Sequence, residues 1–238
     1  MNRMTGSWGV KLWVFASSLA ISSWACAELK GTVLWYMEEE PGIDAYKVRY
    51  IVTQEFLRSD EGDDKGSFVL LDRKQGQIYS VVRENRTIMH IDGTGDRPVA
   101  PKNLSIDIRE AVDNKAPKVG GKSPLSVELF ADNELCYSAV IVPGFLDEVR
   151  AAFQEFAQLL AVQQARTLDN TPKEYQTPCF LSEYLYATDF HLQRGFPLAD
   201  WSAEGDRREL IAYESDIELD AGLFSLPGEF RIIRASGH

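Results

Sequence analysis

The sequence has little of what most enzymes and nucleic-acid-binding proteins are built from. Its three histidines and three cysteines are scattered over 238 residues. No His-x-x-x-His or Cys-x-x-Cys spacing occurs among them, so no metal-ligand pattern stands out. A Gly-x-Ser-x-Gly elbow, a phosphate-cradling glycine loop and a dinucleotide fingerprint are absent as well. The 25 basic residues are outnumbered by 36 acidic ones, for a net charge of −11, and no basic run interrupts the chain. That excludes the counterion-release chemistry of a nucleic-acid interface and makes an anionic membrane surface a poor partner. Beyond the N-terminal stretch, no apolar run approaches the roughly 20 residues a spanning helix needs.

The N-terminal stretch has its own pattern. Arg3 and Lys11 are followed by a short apolar core, Leu12–Ile21, and by Ala25-Cys26-Ala27 ahead of Glu28. A basic segment, an apolar segment and an A-x-A site predict a secretory signal peptide over residues 1–27. The remaining 28–238 then form a single exported domain in the periplasm, without a transmembrane segment. Lipidation at Cys26 is the weaker alternative, because Ser23-Trp24-Ala25 lacks the aliphatic residue that such signals carry three positions before the cysteine. Residues 1–27 hold no acidic side chain, so the remainder is more acidic still. Two cysteines survive cleavage, Cys136 and Cys179, and in an oxidising compartment an isolated pair is expected to form a disulfide. Closing a loop of that length stabilises by about 4 kcal/mol in the chain-entropy model.

What the chain has in quantity is strand pattern. From Tyr46 to Ile91, short β-favouring runs (Tyr46–Thr53, Phe68–Leu71, Ile78–Val82, Thr87–Ile91) alternate with polar turns, predicting an antiparallel meander. Tyr46, Val48, Tyr50 and Val52 share one face, with Lys47, Arg49 and Thr53 on the other. Phe68-Val69-Leu70-Leu71 and Ile78, Tyr79, Val81 and Val82 are apolar on both faces, so both faces must be covered. The acidic loop Ser59–Gly66 has Lys65 where a calcium loop needs glycine and no closing glutamate, and is read as a hairpin tip. Leu29–Met37 predicts a preceding strand and Glu38-Glu39-Glu40-Pro41-Gly42 a solvated turn. Leu104–Arg109, a hairpin of Ser126–Phe130 with Leu135–Val142, then Arg208–Ser215 and Phe230–Ile233 supply further strands. Asp113–Pro124 reads as a crossing and Gly195–Leu198 as a turn.

One strong helix is expected, from Phe145 to about Leu168. Phe145, Val149, Ala152, Phe153, Phe156, Leu159, Leu160 and Gln163 keep three-and-four spacing, while Glu148, Arg150, Glu155 and Gln158 face away. Phe180–Gln193 suits a strand and a helix equally. His90 and His191 stand alone in apolar, strand-like runs and are read as satisfied sheet histidines, and His238 is the last residue. Asp60 with Asp64, or Glu214 with Asp216, could serve a paired-carboxylate hydrolase, yet an acidic chain supplies many such pairs and nothing selects one. No catalytic residue, metal ligand or cofactor is assigned.

The runs Phe56-Leu57-Arg58-Ser59-Asp60, Phe68-Val69-Leu70-Leu71-Asp72 and Ile78-Tyr79-Ser80-Val81-Val82 resemble the repeating strands of the periplasmic lipoprotein carriers, the Lol family. The ending Gly195-Phe196-Pro197-Leu198, followed by Leu223-Phe224-Ser225-Leu226-Pro227-Gly228-Glu229-Phe230, is similar to that family's closing stretch. The resemblance implies an unclosed, curved antiparallel β half-barrel whose concave side is covered by helices, binding an acyl chain, lipid or lipoprotein without catalysis; with the one long helix expected from Phe145 as its cover, the fold class is α+β. Residues placed to line such an apolar site are Tyr46, Val48, Tyr50, Val52, Phe68, Leu70, Tyr79, Val81, Phe153 and Phe156. Two other classes stay open: a cell-envelope interaction or scaffold protein using a sheet edge or its acidic surface, and a hydrolase using an acid pair.

Overall fold

A computed structural model describes residues 29–112 and 115–235; the expected signal peptide with Cys26, and His238, lie outside them. Two meanders make one sheet. The first comprises β1 (Lys30–Glu39), β2 (Tyr46–Val52), β3 (Phe56–Asp60), β4 (Phe68–Asp72), β5 (Gln77–Val82) and β6 (Thr87–Asp92). The second comprises β7 (Ile106–Val112), β8 (Leu125–Ala131), β9 (Glu134–Val142), β10 (Phe196–Ser202) and β11 (Arg207–Glu218), and β12 (Arg231–Arg234) returns to β6. The sheet order is β12-β6-β5-β4-β3-β2-β1-β11-β10-β9-β8-β7, so the first and eleventh strands join the meanders and, among the described residues, β12 and β7 are the two edges. All pairs are antiparallel except β12 with β6. Register shifts in β1, β8 and β10 mark bulges, which increase local twist and bend the sheet. The result is an unclosed, curved half-barrel.

The helix α1 (Asp147–Thr167) lies across this sheet. It starts after Pro143-Gly144, where Gly144 adopts a positive φ of 62° that a side chain would strain. Asp147 and Glu148 in its first turn complement the helix dipole. Val149, Ala152 and Phe153 pack with Leu34, Tyr36, Val52, Leu57, Leu71, Ile78 and Ile91 of the strands. Each fully buried leucine or phenylalanine in such a layer stabilises by about 1.5–3 kcal/mol. The opposite face of the first meander is also covered. Ile51, Phe68, Leu70, Val81 and Ile88 lie under Phe224, with Leu219, Leu223, Leu226 and Phe230 around them. The strands that are apolar on both faces are thus sandwiched, and their second cover is the chain's own C-terminal segment. A third cluster, from Val127 to Phe190, sits at the β7–β9 end.

Several local expectations change. Leu160 is exposed. Glu155, Arg150 and Gln158, placed on the solvent face by spacing alone, bond across elements to Arg73, to the Leu192 carbonyl and to Asp189. Phe196–Leu198, expected with Gly195 as a turn, is instead the start of β10. A bulge between Pro197 and Ala199 accommodates the proline, which has no N–H to give to the ladder. Phe180–Gln193 is neither a strand nor one regular helix: α2 (Pro178–Leu181) passes into a π turn over Ser182–Tyr186 and then irregular turns. A π turn breaks three-and-four spacing, which is why neither period was favoured over the other. Glu38 and Glu39 belong to β1 rather than to a turn.

Candidate functional site

The strands β2, β1, β11, β10 and β9 are neighbours, and on their helix side they bring polar groups together that are far apart in sequence. Antiparallel register sets Asp200 opposite Arg208. The Arg208 guanidinium donates to Asp200 Oδ2 from Nη2 at 2.7 Å and from Nε at 3.2 Å. Tyr137 Oη donates to Asp200 Oδ1 at 2.8 Å, so both carboxylate oxygens are used. The same guanidinium stands 5.0 Å over the Tyr36 ring and 5.8 Å over Phe153. Tyr50 Oη donates to Glu38 at 3.0 Å, and Tyr36 Oη to the Pro197 carbonyl at 2.9 Å.

The segment after α2 closes the other side. It is held from two directions. Cys136 on β9 is disulfide-bonded to Cys179, confirming the expected bridge. Asp189 is completely buried and accepts from Gln154, Gln158 and Gln193 at 2.8–3.0 Å, besides an ion pair with Arg97. Burial opposes its charge, but these donors together hold its carboxyl below the ordinary range. So fastened, the segment presents Glu183, Tyr184, Thr188, Phe190 and His191 to the strands.

Between them lies a cleft of about 560 Å³, lined also by Glu38, Glu39, Glu40, Tyr50, Tyr137, Asp200, Ser202, Asp206, Arg207 and Arg208. A chamber of about 210 Å³ adjoins it, with apolar walls of Leu57, Phe153, Phe156, Ala157 and Leu192. Tyr50, Tyr137, Thr188, His191 and Arg208 border both spaces. The polar cleft and the apolar chamber therefore share a wall of five residues.

Two side chains here are electrostatically unusual. His191 is 5% exposed, and neither ring nitrogen has a hydrogen-bond partner among the described residues. Its ring stacks on Tyr137 with centroids 5.7 Å apart. Burial pushes its pKa down to about 4, so the ring is neutral at pH 7. This is a buried, unsatisfied histidine on a turn, not the satisfied sheet histidine expected. His90 does sit on a strand, bonded to Gln77 and stacked on Tyr79. Glu183 is pushed up to about 8, first by burial and then by Glu204 and Asp206. Burial also raises Glu38 and takes Tyr50 to about 12. Its sulfurs joined to each other, the Cys136–Cys179 pair next to Glu183 offers no thiolate to a metal.

The residues expected to line an apolar site are split. Tyr50, Val52, Phe153 and Phe156 lie on the helix side, where Tyr50, Phe153 and Phe156 border the chamber. Phe68, Leu70, Tyr79 and Val81 are on the opposite face beneath the C-terminal segment. Tyr46 and Val48 border a separate open groove of about 280 Å³, which also touches Tyr50, Phe68 and Val81. Of the two acid pairs, Asp60 and Asp64 both bond Arg49, as befits a hairpin tip, and Glu214 and Asp216 are exposed on β11. Sequence reasoning missed Tyr36, Tyr137, Glu183, Asp200 and Arg208. The one visible hint was Asp200 within an otherwise apolar, strand-like run.

Fold and cleft together define an unclosed antiparallel half-barrel with a helix across one face and a polar cleft beside it. No protein-family model and no curated protein matches the chain. Among solved structures, an uncharacterized conserved protein from Thermus thermophilus aligns over 86% of this chain and 90% of its own, at 7% identity and a TM-score of 0.44. PNGF-II aligns over 86% of this chain but 31% of its own, at 8% identity and a TM-score of 0.39. Similarity at that level carries no function across.

Proposed function

We propose that this is a non-enzymatic, exported protein of the periplasm that binds a small amphipathic ligand, with the polar end in the cleft and an apolar tail in the adjoining chamber. The observation that carries this reading is the wall of Tyr50, Tyr137, His191 and Arg208 that the two adjoining spaces share. Concave sites with apolar walls and a few convergent polar groups are the usual form of a small-ligand site. The remainder of the apolar core is occupied by the protein's own side chains, so a tail has the chamber rather than the whole half-barrel to enter. Non-catalytic binding fits His191, which among the described residues has no hydrogen-bonded carboxylate to orient it as a general base. A disulfide suits an oxidising compartment, and no helix among the described residues is long and apolar enough to cross a membrane.

The test uses an uncharged, environment-sensitive probe, N-phenyl-naphthylamine. Its fluorescence should rise on mixing with the protein and stay low with Ala157→Trp, which fills the chamber from α1. No rise, or an equal rise with the filled variant, would overturn the reading.

A further inference from the structure

We propose that the Cys136–Cys179 bridge is a site of thiol–disulfide exchange with a dithiol reductant, at which Cys179 is attacked, Cys136 is expelled and Glu183 supplies the proton. The proposal does not depend on whether the cleft takes a ligand.

The two sulfurs are unequal. Cys136 is completely buried on β9, among Val127, Leu129, Ala139 and Ile141. Cys179 is partly exposed in the single turn of α2. An incoming thiolate takes the sulfur it can reach, so Cys179 gains the new bond and Cys136 leaves. Expelled as a thiolate, Cys136 would be a charge among apolar side chains, and such burial opposes ionisation. A leaving thiol that ionises poorly slows exchange unless a proton reaches it.

Glu183 is placed to give that proton. A carboxylate oxygen of Glu183 lies within 4.8 Å of both sulfurs. Its position is set by the π turn over Ser182–Tyr186, which follows α2 directly. Facing it are Glu204 and Asp206 from the β10–β11 turn and Glu38, Glu39 and Glu40 from β1 and the turn after it. Tyr137 of β9, Asp200 of β10, Arg207 and Arg208 of β11, and Tyr184 and His191 of its own segment complete the surroundings. Burial first, then Glu204 and Asp206, push its carboxyl up to about 8, so it carries a proton at pH 7.

The exchange balances without any further co-reactant. A thiolate of the dithiol bonds to Cys179 Sγ as the bond between the two cysteines breaks. The electron pair goes to Cys136 Sγ, which takes the proton of Glu183. The second thiol of the reductant then passes its proton to the Glu183 carboxylate and attacks its own sulfur in the mixed disulfide. Cys179 departs as a thiolate that water can hydrate, and the dithiol is left as a disulfide. Two electrons have reduced the bridge, and the segment carrying Glu183 and His191 is no longer tied to β9.

The experiment is reduction of the folded protein by dithiothreitol without denaturant, with samples alkylated by iodoacetamide and weighed by mass spectrometry. The rate should rise in proportion to dithiothreitol, because attack falls on the folded state. Divided by the thiolate concentration, it should fall about tenfold between pH 7 and 9 as Glu183 loses its proton. Glu183→Gln should be about tenfold slower at pH 7, flat across that range and level with the native protein by pH 9. A change of packing alone would offset the variant equally at every pH. A rate that levels off at high dithiothreitol, as when global unfolding must come first, would overturn the proposal. So would a native profile that does not fall, or one that runs parallel to the variant's.

Discussion

Asp200 and Arg208 are direct partners across β10 and β11, and Arg208 places two guanidinium nitrogens on one oxygen of that carboxylate. The pair neutralises the floor of the cleft, and Arg208 also stands opposite Glu38 across β1 and β11. Asp200 is 4% exposed at its side chain and Arg208 23%. Removing one partner leaves a poorly hydrated charge, so Asp200→Asn should cost about 2–4 kcal/mol of stability. Combining it with Arg208→Met should recover part of that loss. Urea denaturation of the two variants checks the sign of this coupling.

The bridge between Cys136 and Cys179 closes a separation of 43 residues and fastens the segment that carries Glu183 and His191. Replacing both cysteines by serine should lower stability by about 2–4 kcal/mol. Binding of the naphthylamine probe should weaken in the same variant, because the cleft wall is then held chiefly by Asp189. Urea midpoints with and without reductant give the first number, and a probe titration gives the second.

Stability should depend on pH in two opposed ways. Glu183 has an ordinary pKa of 4.5 and a folded value of about 8, so the folded state binds the extra proton. Its contribution is full below pH 4.5 and is lost as pH rises through 8. His191 goes the other way, from 6.5 to about 4: its contribution is present above 6.5 and is lost as pH falls through 4. Between pH 6.5 and 8 the glutamate acts with little opposition from the histidine. Thermal melts across that window should fall for the native protein and flatten for Glu183→Gln.

The second cover of the first meander depends on Arg58, whose residue is 1% exposed. Its guanidinium bonds Asp60 and the Leu223 carbonyl and lies 4.1 Å over the Phe68 ring. Arg58→Met keeps the apolar stem but takes from Asp60 one of its two arginine partners and releases the C-terminal segment. A loss of about 3 kcal/mol is expected, with faster amide exchange in β12 than in β9.

Much of the half-barrel was legible in the residues, and the cleft was not. Phe68–Leu71 and Ile78–Val82 announced a two-sided cover because strand periodicity assigns each side chain to a face. Phe145–Leu168 announced α1 in the same way, with a period near 3.6. What covers the second face was not legible, because Phe224 lies in a turn-rich stretch with no period at all. The cleft depends on β11 pairing with both β1 and β10, a long-range register that sets Arg208 beside Asp200 and Tyr36. His191 was visible as a lone histidine, but its unsatisfied state follows from packing against Tyr137 in an irregular turn.

The central claim is that cleft and chamber are one site. Nuclear magnetic resonance of the methyl-labelled protein, titrated with 1-octanol, addresses it most directly. The account predicts shifts at Leu57, Ala157 and Leu192 together with the His191 ring, and quiet methyls at Leu70 and Val81. Shifts confined to Leu70, Val81 and their neighbours, or none anywhere, would contradict it.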